Sequence, residues 1–298
     1  MIAAFFQVLI SGFLWGLTGI YVRYLNALGI SSAGVVWLRV VSAFLVLFLF
    51  LFIKDRRLLR IRLRDLWCFV GTGICSIALF NYCYFTNITE TSLSIACTML
   101  YLSPVFALLY SVILFRERVT IRKVVACVLA VLGCAMVTGI FTDLGAITPR
   151  GLILGVLSGA AYGLYGIFSR FALNRGYHAM TITVYTFLFA VVGVTPIADF
   201  RGIWYGFGQM DGSGGYYLLL MLVTSVLPYL LYTKGLERIS PSVAAVVVVI
   251  EPVCAMLVGA IFFEEPITAL GFAGMCLVVS AIVLLNVHFG KGKGSLVE

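Results

Sequence analysis

Glu251 is a single carboxylate inside an apolar run, VAAVVVVIEPVCAMLVGAIFF, that extends from Val243 to Phe263. An ionisable side chain is costly in such surroundings, and groups of this kind are candidates for ion pathways and proton relays. We therefore predict that Glu251 binds the amine of a small molecule or carries a proton. The alternative is a structural ion pair or hydrogen bond that holds two helices together.

Two prolines occupy similar places within apolar runs: Pro252 directly follows Glu251, and Pro104 lies in the sequence LSPVFALL. Proline cannot donate a backbone N–H, and its ring clashes with the carbonyl four residues earlier. We expect both helices to kink, which leaves the carbonyls of Val248 and Leu100 free to line a cavity. A kink that neighbouring helices relieve is the alternative.

Three further charged residues are candidates for structural or gating roles. Arg39 lies early in the apolar sequence WLRVVSAFLVL. We expect it to pair with Glu251 or with a carbonyl at a helix end, and direct contact with a small molecule is the alternative. Glu117 and Glu265 each follow an apolar run, and we interpret them as a gate or latch with basic neighbours such as Arg118. Solvated loop charge is their alternative interpretation.

Aromatic and small polar residues are dense within the apolar runs. Small-molecule sites are mostly apolar walls that carry a few well-placed polar groups. We accordingly predict a cavity lined by Glu251 together with Trp15, Asn81, Tyr82, Tyr101, Ser103, Tyr162, Tyr165 and Tyr229. For Tyr82, which is expected near a helix end, membership of the interfacial aromatic belt is the alternative.

The elements that must position these residues are long apolar stretches. The chain is 62% hydrophobic and 11% charged, whereas soluble proteins carry roughly 25% charged residues. Its mean hydropathy is +1.12. Because a helix needs about 20 mostly apolar residues to cross a bilayer, the sequence predicts an all-α membrane protein. Ten transmembrane helices are expected near residues 4–22, 33–53, 66–85, 91–114, 122–140, 151–170, 180–199, 215–233, 242–263 and 267–288.

Basic residues cluster on one side of the predicted bundle. Sixteen of the 20 Lys and Arg residues fall in the linkers after even-numbered spans, at the ends of those spans or in the tail. Since cytoplasmic loops are rich in Lys and Arg, both termini are predicted to be cytoplasmic in a multi-pass protein of the cell membrane. The net charge of +8 is then explained by a basic surface that faces anionic lipid. The expected partners are the lipid bilayer and a small molecule, with no nucleic acid, in a monomer or homodimer.

One phrase of the sequence occurs twice. WGLTGIYVR (15–23) returns as YGLYGIFSR (162–170), a shift of 147 residues. LSPVFALLYSVILFRERVT (102–120) aligns with IEPVCAMLVGAIFFEEPIT (250–268) at a shift of 148 residues. We therefore predict two five-helix repeats, 1–145 and 146–290, and a cytoplasmic tail, 291–298. Because five spans is an odd number, the second copy must enter the membrane from the opposite side, an inverted-topology repeat typical of secondary transporters.

The whole pattern resembles a known family. A fourth span with Pro104 that runs into Glu117, and a ninth span that reads IEPVCAMLVGAIFFEE, are similar to the EamA-type members of the drug/metabolite transporter superfamily. The resemblance covers nearly the whole chain. It implies export or exchange of small metabolites, often amino acids, through a central cavity lined mainly by spans one, three, four, six, eight and nine. The first copy has Ser103 where the second has Glu251, so a paired acidic role is not implied.

The predicted function is therefore secondary transport of a small metabolite by alternating access, without a cofactor, metal or enzymatic activity. The sequence contains no G-x-x-x-x-G-K-[ST], H-E-x-x-H or G-x-S-x-G motif. Its two histidines, His178 and His288, lie near predicted helix ends, and its eight cysteines fall in apolar runs without metal-binding spacing. The alternatives are a lipid-carrier flippase or a membrane scaffold subunit, a channel and, last, an intramembrane enzyme. A flippase would need a lateral opening between helices.

Overall fold

The computed structural model describes residues 1–142 and 144–286. Ten helices in these residues are long and apolar enough to span a membrane, which confirms the ten predicted spans. In chain order, α1 to α10 are Ile2–Ala27, Ser32–Lys54, Leu63–Glu90, Leu93–Phe115, Ile121–Thr138, Pro149–Asn174, Ala179–Ile197, Gly214–Gly235, Pro241–Phe263 and Ala269–Asn286. The predicted tail 291–298 and His288 lie outside the described residues. The described residues contain no strand.

Three of the spans are interrupted within their length. The segments are Ile2–Gly16 and Thr18–Ala27 in α1, Leu93–Leu100 (α4a) and Ser103–Phe115 (α4b) in α4, and Pro241–Val247 (α9a) and Ile250–Phe263 (α9b) in α9. Irregular backbone at membrane depth is tolerated where it is buried in protein or lines a cavity. The interruptions therefore point to the interior of the bundle as the place to look for a site.

The two prolines act differently from the prediction. Pro104 and Pro252 lie in the first turns of α4b and α9b. A backbone N–H there has no partner within the helix, so the N–H that proline lacks is not missed. The chain breaks just before each proline and does not kink within a continuous helix. The carbonyl of Val248, predicted to be free, accepts the backbone N–H of Glu251 at 3.0 Å. That prediction is wrong because a tight three-residue turn satisfies the carbonyl within the chain.

Two other spans also depart from a regular α-helix. In α3, Gly71–Ala78 form a π-helix between α-helical segments. In α8, Pro228 lies inside the continuous helix Gly214–Gly235. π-Helical turns are rare and occur frequently at functional sites. Compared with a regular α-helix, the π-helical stretch of α3 shifts which side chains face the middle of the bundle.

Local backbone geometry recurs at the spacing of the repeated phrases. Gly29 has a φ of 86° and Gly176 a φ of 85°, and these residues lie 147 positions apart (29 and 176). Arg116 and Glu264, 148 positions apart, have φ values of 53° and 55° and end α4 and α9. Positive φ is uncommon outside glycine. The two copies therefore share their turn geometry as well as their residue types.

Helix packing follows the same relation. α1 packs against α8 and α9, and α6 packs against α3 and α4. The first helix of each copy thus contacts the third and fourth helices of the other copy. α2 packs against α7 and α5 packs against α10, so these contacts also join equivalent helices of the two copies.

Glycines allow the crossings to be close. A Cβ on Gly12 would lie 2.7 Å from the Val248 carbonyl oxygen at the break in α9. Its counterpart Gly159 faces the break in α4, where a Cβ would lie 3.4 Å from the Leu100 oxygen. Small residues four apart are a common means of packing membrane helices. They occur here at Gly12 and Gly16 in α1 and at Gly159 and Gly163 in α6.

The two ends of the bundle differ in chemistry. We call the end formed by linkers 55–62, 116–120, 175–178 and 236–240 the basic end. Its first linker is held in place, since the Leu58 and Leu59 carbonyls accept the hydroxyls of Thr181 and Tyr185, each at 2.7 Å. The opposite end has linkers 28–31 and 264–268 and a short helix, Phe200–Gly208, in which Trp204 is 86% exposed. An exposed aromatic at this level is typical of a membrane interface.

Candidate functional site

A narrow cavity of about 20 Å³ lies in the middle of the bundle. Its wall comes from α1, α3, α4, α6, α8 and α9, which are the six spans that the resemblance implied. The lining residues are Trp15, Ser76, Ile77, Phe80, Ser103, Tyr162, Gly163, Tyr165, Tyr229, Tyr232, Ala245 and Val248. Val248 lies in the break in α9, and Ser103 begins α4b directly after the break in α4. The cavity therefore lies where the interrupted helices meet.

Aromatic rings dominate the wall and contact one another. The ring of Tyr229 packs edge-on against Trp15 at 5.0 Å, against Tyr165 at 5.2 Å and against Phe187 at 5.0 Å. The Tyr165 hydroxyl is hydrogen-bonded to the Thr233 hydroxyl at 2.7 Å. Edge-to-face pairs of this kind are the preferred arrangement of aromatic side chains. The wall is thus a network of rings, fixed at one corner by a buried polar contact.

Glu251 lies beside this wall in the first turn of α9b. Its Oε2 accepts a hydrogen bond from the hydroxyl of Tyr162, a wall residue, at 3.2 Å. No Lys or Arg lies within ion-pair distance of Glu251 in the described residues. The carboxylate is therefore joined to the cavity through Tyr162 and retains capacity for a further donor.

Arg39 has a different partner from the two that we predicted. Its Nε donates to the Ser225 hydroxyl at 3.3 Å, and its guanidinium lies 5.9 Å from the centre of the Tyr21 ring. Ser225 belongs to α8, so the contact joins the second helix of the first copy to the third helix of the second. The prediction of an ion pair with Glu251 is wrong in this conformation, because the rotation of α2 directs the guanidinium to α8.

The structure brings five of the predicted lining residues to the wall, namely Trp15, Ser103, Tyr162, Tyr165 and Tyr229. Asn81 is buried and donates to the Ile77 carbonyl at 2.7 Å, Tyr101 is buried at the break in α4, and Tyr82 is 50% exposed. None of these three residues lines the cavity. Phe80 does, and at about 100° of rotation per residue Asn81 and Tyr82 point elsewhere.

Val248 was expected in the wall through its carbonyl. The six wall residues that were not predicted are Ser76, Ile77, Phe80, Gly163, Tyr232 and Ala245. Among them, Ser76 has a buried hydroxyl without a hydrogen-bond partner in the described residues. Buried polar groups are normally satisfied, so each exception calls for an explanation. Its position in the wall makes the Ser76 hydroxyl available to a bound molecule. The described residues contain no group of His, Cys, Asp and Glu suited to a metal ion.

The candidate gating carboxylates occupy opposite ends. At the basic end, Glu117 forms an ion pair with Lys123, and its two oxygens each lie 2.8 Å from the Ser242 hydroxyl of α9a. Burial by itself would raise the pKa of Glu117. Hydrogen bonds from Lys123, Ser240 and Ser242 outweigh that effect and lower the pKa below 4.5. At the opposite end, Glu265 forms an ion pair with Arg23, and both side chains are about half exposed.

Comparison with known proteins fits this geometry. The model of the EamA-like transporter family matches the chain twice, over residues 2–139 and 149–287. The chain belongs to the EamA-like transporter family. It is 26% identical over 215 residues to a protein of Archaeoglobus fulgidus that is named as an uncharacterized transporter, covering 71% of this chain and 75% of that protein.

Another relative of this EamA-like chain is the uncharacterized transporter YojE of Bacillus subtilis strain 168. It is 26% identical over 297 residues, which cover 95% of this chain and 93% of YojE. A crystal structure superposes with a TM-score of 0.76 at 15% identity, covering 99% of this chain and 100% of the other. At that identity, the superposition supports the fold alone. The chain is thus a multi-pass membrane transporter of this family, and the names of its relatives agree with a non-enzymatic role.

Proposed function

We propose that this EamA-like protein is a secondary transporter that moves small metabolites, amino acids or related compounds, by export or exchange through alternating access. The observation that carries the proposal is the aromatic cavity at the helix breaks, with Glu251 joined to its wall by Tyr162. Cavities in the middle of the bundle, formed by discontinuous helices from both halves, are characteristic binding sites of secondary transporters.

Alternating access requires two halves that can exchange roles. The glycine contacts support such a relation. A Cβ on Gly16 would lie 2.8 Å from the Glu251 carbonyl oxygen, and a Cβ on Gly163 would lie 3.1 Å from the Ser103 oxygen. Gly16 is equivalent to Gly163 at the 147-residue shift, and Glu251 is equivalent to Ser103 at the 148-residue shift. Contacts that recur with the copies exchanged favour an axis in the membrane plane, the inverted-topology arrangement.

The proposed substrate class rests on two charged residues inside the bundle and on the aromatic wall. Glu251 offers a carboxylate to an amine, and Arg39 offers a guanidinium to a carboxylate. Arg39 contacts Ser225 and Tyr21 and forms no ion pair with Glu251 in the described residues. The aromatic wall is chemically suited to contact with an apolar side chain. A small zwitterion therefore satisfies both charges and the wall together.

The proposed setting is the cell membrane, with both termini cytoplasmic and the bilayer as the surrounding partner. The basic end then faces the anionic cytoplasmic leaflet, which attracts Lys and Arg near the surface. The Arg-rich linker 55–62 at this end is docked on α7 and leaves Arg56, Arg57, Arg60 and Arg62 exposed. The proposed protein is a monomer or homodimer.

The test begins with purified protein screened against metabolites by thermal shift, followed by counterflow of the hits in liposomes. We expect stabilisation by a small zwitterion and its counterflow. Glu251→Gln is expected to abolish the transport of substrates that carry an amine. Glu264→Gln is the matched control, because it removes a neighbouring carboxylate of the same chain at the exposed end of α9. Full transport and unchanged pH dependence in the Glu251→Gln protein would refute the role of this carboxylate. Lipid scrambling without uptake of any metabolite would favour the flippase.

A further inference from the structure

A polar contact joins the two copies at the basic end. α4b and α9a pack against each other there. The Glu117 side chain is only 14% exposed and accepts hydrogen bonds from Ser242 in the first turn of α9a. Ser240 lies 3.1 Å from Ser242, and Lys123 supplies the positive charge. We call the group Glu117, Lys123, Ser240 and Ser242 the basic-end latch, since it ties the first copy to the second.

The sequence contains a second set of latch residues. At the 148-residue shift, Glu117 is equivalent to Glu265, Ser242 to Ser94 and Ser240 to Ser92. This equivalence holds for the backbone too. The Glu117 N–H bonds to the Ser111 carbonyl and the Glu265 N–H bonds to the Gly259 carbonyl, each at 3.2 Å. Both glutamates are therefore presented by turns of the same shape.

The second set is apart in this conformation. Glu265 forms an ion pair with Arg23, is 48% exposed, and makes no hydrogen bond to Ser94 in the described part of the chain. The segments that carry these residues, α9b and α4a, lack a contact comparable to that between α4b and α9a. Equivalent residues are thus joined at the basic end and separated at the opposite end.

We propose that Ser94 and Glu265 form a second latch, which closes the opposite end when the basic-end latch opens. The two latches exclude each other, because α4 and α9 can converge at one end only by separating at the other. In the second latch, the Ser94 hydroxyl donates to the Glu265 carboxylate as Ser242 donates to Glu117. The proposal rests on the alternating access of the proposed function.

The two latches are unequal in charge. Lys123 is equivalent to Gly271, so the second latch has no counterpart of that lysine. Its glutamate must also leave Arg23 or bring that side chain along. The basic-end latch is therefore the more stable of the two, which agrees with the conformation seen here. A substrate that favours the other state has to offset this difference.

Hydrogen exchange of the full chain tests the proposal without added cysteines. Losing one hydrogen bond to a charged group shifts an equilibrium about tenfold or more. Ser242→Ala is expected to speed exchange in α9a and to slow it in α4a. Adding Ser94→Ala should return both segments toward the exchange of the unaltered protein, since it weakens the competing latch. Ser280→Ala is the control, because within the described residues its hydroxyl bonds only to the Cys276 carbonyl of its own helix.

Two results would overturn the proposal. One is an unchanged exchange rate of α9a in the Ser242→Ala protein. The other is a double variant in which the exchange rates of α9a and α4a remain as in Ser242→Ala or move further from those of the unaltered protein. Counterflow in liposomes tests the proposed function separately. Transport of a metabolite without a reciprocal change in the exchange of α4a and α9a would refute the two latches but not the proposed function. A reciprocal change in hydrogen exchange without transport of any metabolite would refute the proposed function but not the two latches.

Discussion

Gly16 lies where α1 crosses α9b beside Glu251, and replacing it with alanine should strain that crossing. A Cβ at this position would lie 2.8 Å from the Glu251 carbonyl oxygen and 3.1 Å from the Ala255 nitrogen. Contacts below 3.0 Å are not made by real Cβ atoms. The nearest atom of all is the Cβ of Cys254, which is fixed by its own backbone, so none of the three atoms can turn aside. The change therefore forces α9b away from α1 at the carboxylate.

The magnitude follows from the atoms that each new methyl group meets. Overpacking of this kind costs about 1–3 kcal/mol. Gly163→Ala is the equivalent change in the second copy, and its nearest contact is 3.1 Å, to the Ser103 oxygen. A smaller loss is expected there. Gly19→Ala meets no atom within 4 Å, and a helical alanine is favoured over glycine by roughly 0.5–1 kcal/mol, so a small gain is expected.

The assay is the thermal unfolding of the three variants in the same detergent, together with counterflow. The expected order of stability, from lowest to highest, is Gly16→Ala, Gly163→Ala, Gly19→Ala. Gly16→Ala is also expected to lose transport more than stability alone explains, because it displaces Glu251. Equal melting of the Gly16 and Gly19 variants would refute the close approach of α1 and α9b.

Three other predictions concern single contacts. Tyr162→Phe removes the hydrogen bond to Glu251 and should reduce transport about tenfold or more while Tyr82→Phe, at an exposed site, leaves it unchanged. Because the pKa of Glu117 is lowered from its ordinary value, its support of the basic-end latch is present at neutral pH and is lost as the pH falls through the lowered pKa. Exchange in α9a should rise there, but not in a Glu117→Gln protein. Asp65→Asn breaks the pair with Arg175 and should lower stability by about 1–3 kcal/mol, against no change for the exposed Asp55→Asn.

Much of the architecture can be predicted from the sequence. The ten spans follow from continuous apolar runs. The prediction of two five-helix repeats rests on phrases repeated at 147 and 148 residues. Trp15 and Tyr162 stand at the same place in the two copies of the first phrase, and both line the cavity. This part of the wall could therefore be predicted from the repeated phrase.

The wall contributed by α3 was not predictable in the same way. Asn81 and Tyr82 were expected in it, whereas Ser76, Ile77 and Phe80 are found there. The π-helix Gly71–Ala78 rotates the following residues of α3 relative to a regular α-helix. No residue pattern predicts where such a segment begins. The partner of Arg39 was missed for a related reason, because it depends on how α2 is rotated against α8.

One missed feature had a visible signal. Gly12 and Gly16, and again Gly159 and Gly163, are small residues four apart in the first helix of each copy. That spacing is typical of close helix crossings in membranes. It would have placed the first helix of each copy against a broken helix of the other. The break itself, with the Val248 carbonyl satisfied by Glu251, required the structure.

The central claim is that the two halves exchange roles around one cavity. The most direct measurement is of two distances by spin labels, with and without a substrate found in the screen. One pair, at Leu93 and Phe262, spans α4a and α9b at the opposite end, and the other, at Arg118 and Glu237, spans the basic end. All four positions are exposed. We expect substrate to shorten the first distance and lengthen the second. Distances that stay fixed, or that change together in one direction, would contradict the account.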